Sequence, residues 1–271
     1  MERGGRELTT RRSALPTALA YALVASAAGA PALAPAVPGP AAVTAFAAQP
    51  PWRGRAYVEP NVPYDGRFTF VRLRYTVHRR SGWEFDYPAM ERNFMTMARE
   101  LTSLRPHVAG SNVLDMDDPA LLDYPVAYLS EPGYWIPSEA EAAGLRAYLE
   151  KGGFLIVDDF MRGEWRNFER SMRMVFPDAR IERLTLDHPI FDSFYHIESL
   201  DMGHPQDPSL RAQFLGIHED NDPAKRLMVV IDYNTDIGDY MEWSGDGWWP
   251  VNITNDAYKL AINYVVYGLT H

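Results

Sequence analysis

Two consecutive acids, Asp158 and Asp159, stand where the apolar run Phe154-Leu155-Ile156-Val157 ends. A carboxylate there can ligate a metal, orient a water or accept a hydrogen bond from a ligand hydroxyl. Adjacent residues leaving a strand point in different directions, so the two are not expected to share one proton. The competing task for either is to stabilise the N-terminus of a following helix. A second acidic set, Asp232, Asp236, Asp239 and Glu242 with Asn234 and Gly238 among them, follows another apolar strand. Oxygen donors at alternate positions suit a hard cation or a sugar. The spacing departs from an EF-hand, because Gly238 comes one place late, Glu242 one place early, and a strand precedes the loop. The plain alternative is an Asn/Asp/Gly turn closed by side-chain hydrogen bonds. His188, in Asp187-His188-Pro189, offers an imidazole as base or ligand, against the alternative of a structural loop histidine.

The catalytic candidates are therefore Asp158, Asp159 and His188, and the metal candidates Asp159 and Asp236. The ligand-binding set is Asp158, Asp159, Glu131, Asn234, Asp236, Asp239, Glu242 and Trp243. Tyr134, Trp135, Trp243, Trp248 and Trp249 lie in polar, glycine-containing loops, where aromatic faces either stack on sugar rings or anchor the loop. Asp86, two residues before Pro88, reads as a helix cap. The sequence specifies no cofactor; a divalent cation is the candidate these acids suit. There is no phosphate-binding glycine loop, no G-x-S-x-G elbow and no H-E-x-x-H motif.

The elements that must position these groups are legible. Ser138 followed by Glu141 forms a capping box at a helix start. Ala142, Leu145 and Leu149 make its apolar stripe, and Gly152 suits the left-handed stop before Phe154. The non-alternating strand that follows reads as central and parallel, covered on both faces. Phe68–Tyr75 alternates as a first strand, and Pro88 opens a helix with Met90, Phe94, Met97, Leu101 and Leu104 on one face. Pro125–Leu129 is a short strand. Trp165, Phe168, Met172 and Val175 mark another helix, and residues 179–184 an edge strand. Phe214–His218 and Leu227–Tyr233 form an antiparallel pair, and Asp256–Leu269 a closing helix. This alternation implies an α/β fold: a mostly parallel sheet with helices on both faces, plus a C-terminal antiparallel strand pair.

Composition bounds the function. The chain has 271 residues, a net charge of -10 and no cysteine. The negative charge argues against general nucleic-acid binding. The absence of cysteine excludes disulfides, thiolate metal sites and a cysteine nucleophile. Residues 1–47 are alanine- and proline-rich, and Thr10-Arg11-Arg12-Ser13-Ala14-Leu15 has the form of a twin-arginine export signal with Ala14 in place of the usual aromatic. Cleavage is expected near Ala47, giving a periplasmic or secreted protein whose membrane contact is transient and made through the signal only. Residues 48–65 read as an extended leader and 66–271 as a single domain.

The pieces Phe68–Tyr75, Trp83–Pro88, Glu131-Pro132-Gly133, Gly152–Phe160, Asp187–Ile190, Asn234–Trp243 and Asn263–His271 together resemble the bacterial domain-of-unknown-function family 4159. That resemblance implies a flavodoxin-like sheet related to the class I glutamine amidotransferase-like group, and carries no established activity. In active members of that group a helix–Gly-Gly–strand unit delivers a nucleophilic cysteine at the turn after the strand. Here that turn carries Asp158-Asp159, so the resemblance supports the fold and argues against glutamine hydrolysis. The leading expectation is a non-catalytic domain binding a small molecule or an envelope protein. The alternatives are a metal-assisted hydrolase of carbohydrate or cell-envelope material, and a structural subunit of an envelope complex.

Overall fold

The computed structural model describes residues 57–78 and 82–271. The export signal, its cleavage point and the first half of the leader lie outside the described residues. Among the described residues no helix is long and apolar enough to cross a membrane.

Seven strands form one mixed sheet in the order β2-β1-β3-β4-β7-β6-β5. They are β1 (Val71–Arg74), β2 (Asn112–Asp115), β3 (Val126–Ser130), β4 (Phe154–Asp158), β5 (Glu182–Arg183), β6 (Gln213–His218) and β7 (Leu227–Tyr233). The first five in that order run parallel, while β6 is antiparallel to both β7 and β5. The helices are α1 (Ala89–Leu101), α2 (Glu139–Glu150), α3 (Trp165–Val175), α4 (Ile237–Glu242) and α5 (Val251–Thr270).

The central strands are apolar on both faces because both are covered. Tyr128, Phe154, Ile156 and Val230 pack with Met90 and Phe94 of α1 and Ala261 and Tyr264 of α5. Leu129, Leu155, Val157 and Ile231 pack with Leu145 and Leu149 of α2 and Phe168 and Met172 of α3. The register of β4 is set by the unit before it. Ser138 Oγ accepts from the Glu141 amide at 3.1 Å and Glu141 Oε2 accepts from the Ser138 amide at 2.6 Å. Gly152 ends the helix at φ +108°, where a side chain would be strained.

Several boundaries differ from expectation. β1 is shorter than residues 68–75, and α1 stops at Leu101, so Leu104 lies beyond it. β2 was not anticipated: its four residues, NVLD, are too few to show a period. Asn112 and Val113 are instead fixed by the leader, through reciprocal bonds with Val62 and Asn61. α5 begins at Val251 rather than Asp256, directly after Pro250. Asp86 does not cap α1 with its side chain; the residue before that helix, Pro88, offers none.

Candidate functional site

β1 is flanked by β2 on one side and β3 on the other, so the chain switches direction across the sheet there. Crevices at such points, beyond the carboxyl ends of parallel strands, are where open α/β sheets place ligands. Four segments leave the sheet at this end with a non-glycine residue in the left-handed region. They are Asp86 in the loop after β1 (φ 62°), Glu131 after β3 (52°), Asp159 after β4 (63°) and Asn234 after β7 (60°). The cost is about 1–2 kcal/mol at Glu131 and smaller at the aspartates and asparagine, and such conformations concentrate at functional turns.

The two aspartates after β4 have separate tasks. Asp158 belongs to the strand and is sealed from water. Its Oδ2 accepts from Tyr128 Oη at 2.8 Å and from the Gly238 amide at 2.9 Å, and its Oδ1 from the Ile237 amide at 3.2 Å. It therefore holds the start of α4 against the sheet. Burial raises its pKa to about 6 even against those hydrogen bonds. Asp159 turns away. Ser130 Oγ donates to its Oδ2 at 3.4 Å, and its carboxyl hydrogen-bonds that of Asp236. The proton-sharing partner of Asp159 is thus the acid after β7, not its neighbour Asp158. Burial, then Glu131, Asp86 and Asp158, push Asp159 well above the ordinary range; burial, then Asp159 and Asp86, do the same for Asp236.

Two groups of potential ligand atoms result. Asp159, His204 and Asp236 each offer one atom within 4.8 Å of the others, and all three residues are buried. Asp86, Asp239 and Glu242 do likewise and are partly exposed. Burial and then Asp86 raise Asp239 to about 7, and burial, Asp86 and Asp239 raise Glu242 to about 8. The two groups meet at Gly238. A Cβ there would lie 2.7 Å from Tyr128 Oη, 3.1 Å from Asp86 Oδ2 and 3.4 Å from Asp236 Oδ1. Asp232, beside Asp158 in the sheet, accepts from Tyr264 Oη at 2.9 Å through Oδ1, and its Oδ2 is buried without a partner. The acidic end of the sheet thus concentrates carboxyls. Arg72 stands at their edge: it pairs with buried Glu91, donates to the Trp83 and Phe85 carbonyls at 2.8 Å, and its charge partly offsets the rise at Asp86.

The surrounding loops are pinned by neutral groups. Asn234 joins the turns after β4 and β7, its amide donating to the Phe160 carbonyl and its Oδ1 accepting from the Arg162 amide, both at 3.0 Å. Thr235 Oγ1 and Tyr240 Oη donate to the Gly203 carbonyl at 2.9 and 3.2 Å, which holds His204 over the acids. Nδ1 of His204 accepts from the Gln206 amide at 3.2 Å, so its proton resides on Nε2. Burial and then Arg162 lower its pKa to about 4, keeping it neutral. Trp243 hydrogen-bonds Asp239, and its ring lies 5.6 Å from that of exposed Trp248.

The sequence-derived candidates thus divide. Asp158, Asp159, Glu131, Asn234, Asp236, Asp239, Glu242 and Trp243 all lie at this end of the sheet. His188 does not. Its Nε2 faces His218 Nε2 at 3.3 Å, and His218 pairs with Leu227, the first residue of β7, at the opposite end. Its Nδ1 accepts from the Ile190 amide, which is a capping role. Asp86, His204, Tyr128 and Arg72 join the site without having been singled out for it. Asp86 had a local reading as a cap that masked it, and His204 sits in a loop with no periodic signal. A hollow of about 650 Å³ lies apart from the acids, lined by Trp165, Glu169, Arg173, Pro177 and Arg180, and carries no comparable convergence of groups.

Fold and site together define a mixed α/β domain with an acidic cluster at the carboxyl ends of its parallel strands. The family model described as a domain of unknown function (DUF4159) matches residues 69–269, and the chain belongs to that family. A comparison with curated proteins finds no match.

Proposed function

We propose that this is an exported, non-catalytic ligand-binding domain of the flavodoxin-like, glutamine amidotransferase-like type. The acidic cluster is its binding site, for a ligand that brings positive charge or hydrogen-bond donors. The order β2-β1-β3-β4-β7 of the parallel strands is that of a flavodoxin-like sheet and supports the fold assignment. The observation that carries the functional reading is Asp159. It occupies the left-handed turn directly after β4, where the amidotransferase-like group places a thiol, and it faces the carboxyl of Asp236 and the neutral imidazole of His204. A carboxylate there cannot form the acyl-enzyme of amide hydrolysis, but it can receive a ligand. The twin-arginine-like segment supports export.

A metal-assisted hydrolase is the second reading, favoured by Asp159, Asp236 and His204. The two carboxylates would hold the ion and lower the pKa of a bound water. His204 fits less well, because the Gln206 amide occupies Nδ1 and fixes the proton on Nε2.

Two assays on the purified protein test the proposal. Ammonia release from glutamine should stay at background. A thermal-shift panel of amines and sugars should contain a compound that stabilises the wild type and not Asp159→Asn. Ammonia release above background, or stabilisation indifferent to that substitution, sinks the reading.

A further inference from the structure

We propose that Asp86, Asp239 and Glu242 form a divalent-cation site at the mouth of the acidic cluster. The inference rests on the reading of that cluster as a ligand site, and adds the ligand's class and position.

The three carboxyls come from two elements. Asp86 enters from the loop after β1. Asp239 and Glu242 lie three residues apart on α4 and so share one helical face. One oxygen of each lies within 4.8 Å of the other two. Asn93 fixes the far end of α4 by donating to the Met241 and Glu242 carbonyls at 3.0 and 2.9 Å, so the helix face is held toward Asp86.

An independent observation points to a missing partner. The Asp86 carboxyl hydrogen-bonds that of Glu242, yet its Oδ2 is sealed from solvent and meets no donor of good geometry. A buried carboxylate oxygen left unpaired is costly, and folded proteins supply such atoms with a donor or a metal. Asp86 is moreover held in the left-handed region, so its carboxyl is aimed at this point at a backbone cost. Its expected task, capping α1, is not performed. The space beside Oδ2 exists because residue 238 is glycine: a Cβ would stand 3.1 Å from that oxygen and 2.7 Å from Tyr128 Oη.

The donor set selects the ion. Three carboxyls without thiolate or imidazole suit Ca²⁺, Mg²⁺ or Mn²⁺ rather than a softer metal. All three residues are partly exposed, which leaves coordination positions to water or to an oxygen of a further ligand. Such a cation neutralises the mouth of the cluster, and Asp159 and Asp236 remain behind it as hydrogen-bonding groups.

The test uses the full chain stripped with chelator and titrated calorimetrically with Ca²⁺, Mg²⁺ and Mn²⁺. The variants are Asp86→Asn, which tolerates the left-handed backbone, Glu242→Gln and Asp159→Asn. One of the three ions should bind the wild type at one per chain and raise its melting temperature. Asp86→Asn and Glu242→Gln should each weaken binding at least about tenfold, and Asp159→Asn should weaken it less than about threefold. Asp86→Asn should melt in chelator at or above the wild-type temperature, which shows that the loss is one of ligation and not of folding. Binding that survives both mouth variants, or no binding of any of the three ions, overturns the inference. Binding lost only in Asp159→Asn also overturns it, while leaving the cluster intact as a ligand site. A thermal shift by an amine or sugar that Asp159→Asn abolishes, with no ion bound, has that same meaning.

Discussion

Tyr128 donates its phenolic hydrogen to Asp158 across 2.8 Å, inside the sheet and out of reach of water. That bond separates two adjacent acids that look equivalent in the sequence. It commits Asp158, together with the amides of Ile237 and Gly238, to holding α4. Asp159 turns the other way and meets buried Asp236.

Removing Asp158 should therefore unfold more than it inactivates. Asp158→Ala strands two amide donors and a phenol, at about 1–3 kcal/mol for each buried donor left unpaired. Asp158→Asn keeps an acceptor and should cost less. Urea denaturation should rank the midpoints wild type, then Asp158→Asn, then Asp158→Ala. Equal midpoints for the two variants would remove Asp158 from this structural role.

Asp159 should respond in the opposite way. Its backbone is left-handed, which asparagine and glycine tolerate and alanine does not. Asp159→Asn should retain or raise the melting temperature, because it removes one of several mutually repelling buried acids. Asp159→Ala should lower stability by about 1–2 kcal/mol relative to Asp159→Gly. A stability loss in Asp159→Asn as large as that of Asp158→Ala would show that the residue serves the fold instead.

Gly238→Ala should destabilise by about 1–3 kcal/mol through overpacking, because the new methyl would sit 2.7 Å from Tyr128 Oη. Tyr128→Phe in the same chain should relieve part of that cost. A double-mutant cycle reads the coupling, and additive effects would contradict the close approach.

Stability should depend on pH from both sides. Asp158, Asp239 and Glu242 have folded pKa values raised to about 6, 7 and 8 from unfolded values near 4. The native state keeps protons that the unfolded chain has released. Their contribution is thus complete below pH 4 and is lost as pH rises through 6 to 8. His188 works in the other direction, its folded pKa lowered to about 4 by burial and by His218 and His271. Its contribution is present above pH 6.5 and is lost as pH falls through 4. In chelator, denaturation midpoints measured from pH 4 to 9 should flatten on the alkaline side in Asp239→Asn and on the acid side in His188→Gln. An alkaline limb unchanged by Asp239→Asn would contradict the assignment.

Much of this architecture was readable from residue patterns, and the gaps have physical causes. The capping box at Ser138, the stop at Gly152 and the double-faced strand β4 are local signals, and they appear as expected. The antiparallel β6–β7 pair follows from two apolar runs joined by a polar turn. α4 escaped notice because six residues containing Gly238 and Asp239 lack helix propensity; Asp236 caps it locally, and Asp158, far away in sequence, receives two further amides of its first turn. The positions of Asp159 and Asp236 at one end of the sheet were legible from strand polarity. Their pairing was not, since it depends on the left-handed turn at Asp159. His188 was misplaced for a related reason: its loop is ordinary in sequence, and only its contact with His218, the last residue of antiparallel β6, locates it at the far end. Asp86 shows the limit of local reasoning, because a nearby helix start explained it before its long-range neighbours were known.

The central claim is that the acidic cluster, not another surface, receives a divalent cation. Crystals of the full chain grown with Mn²⁺ and measured at the manganese absorption edge test it most directly. An anomalous peak at bonding distance from carboxylates of the cluster, strongest between Asp86, Asp239 and Glu242, is the result the account predicts. A map with no peak at the carboxyl ends of β3, β4 and β7, or with its peak on an unrelated surface, would contradict it.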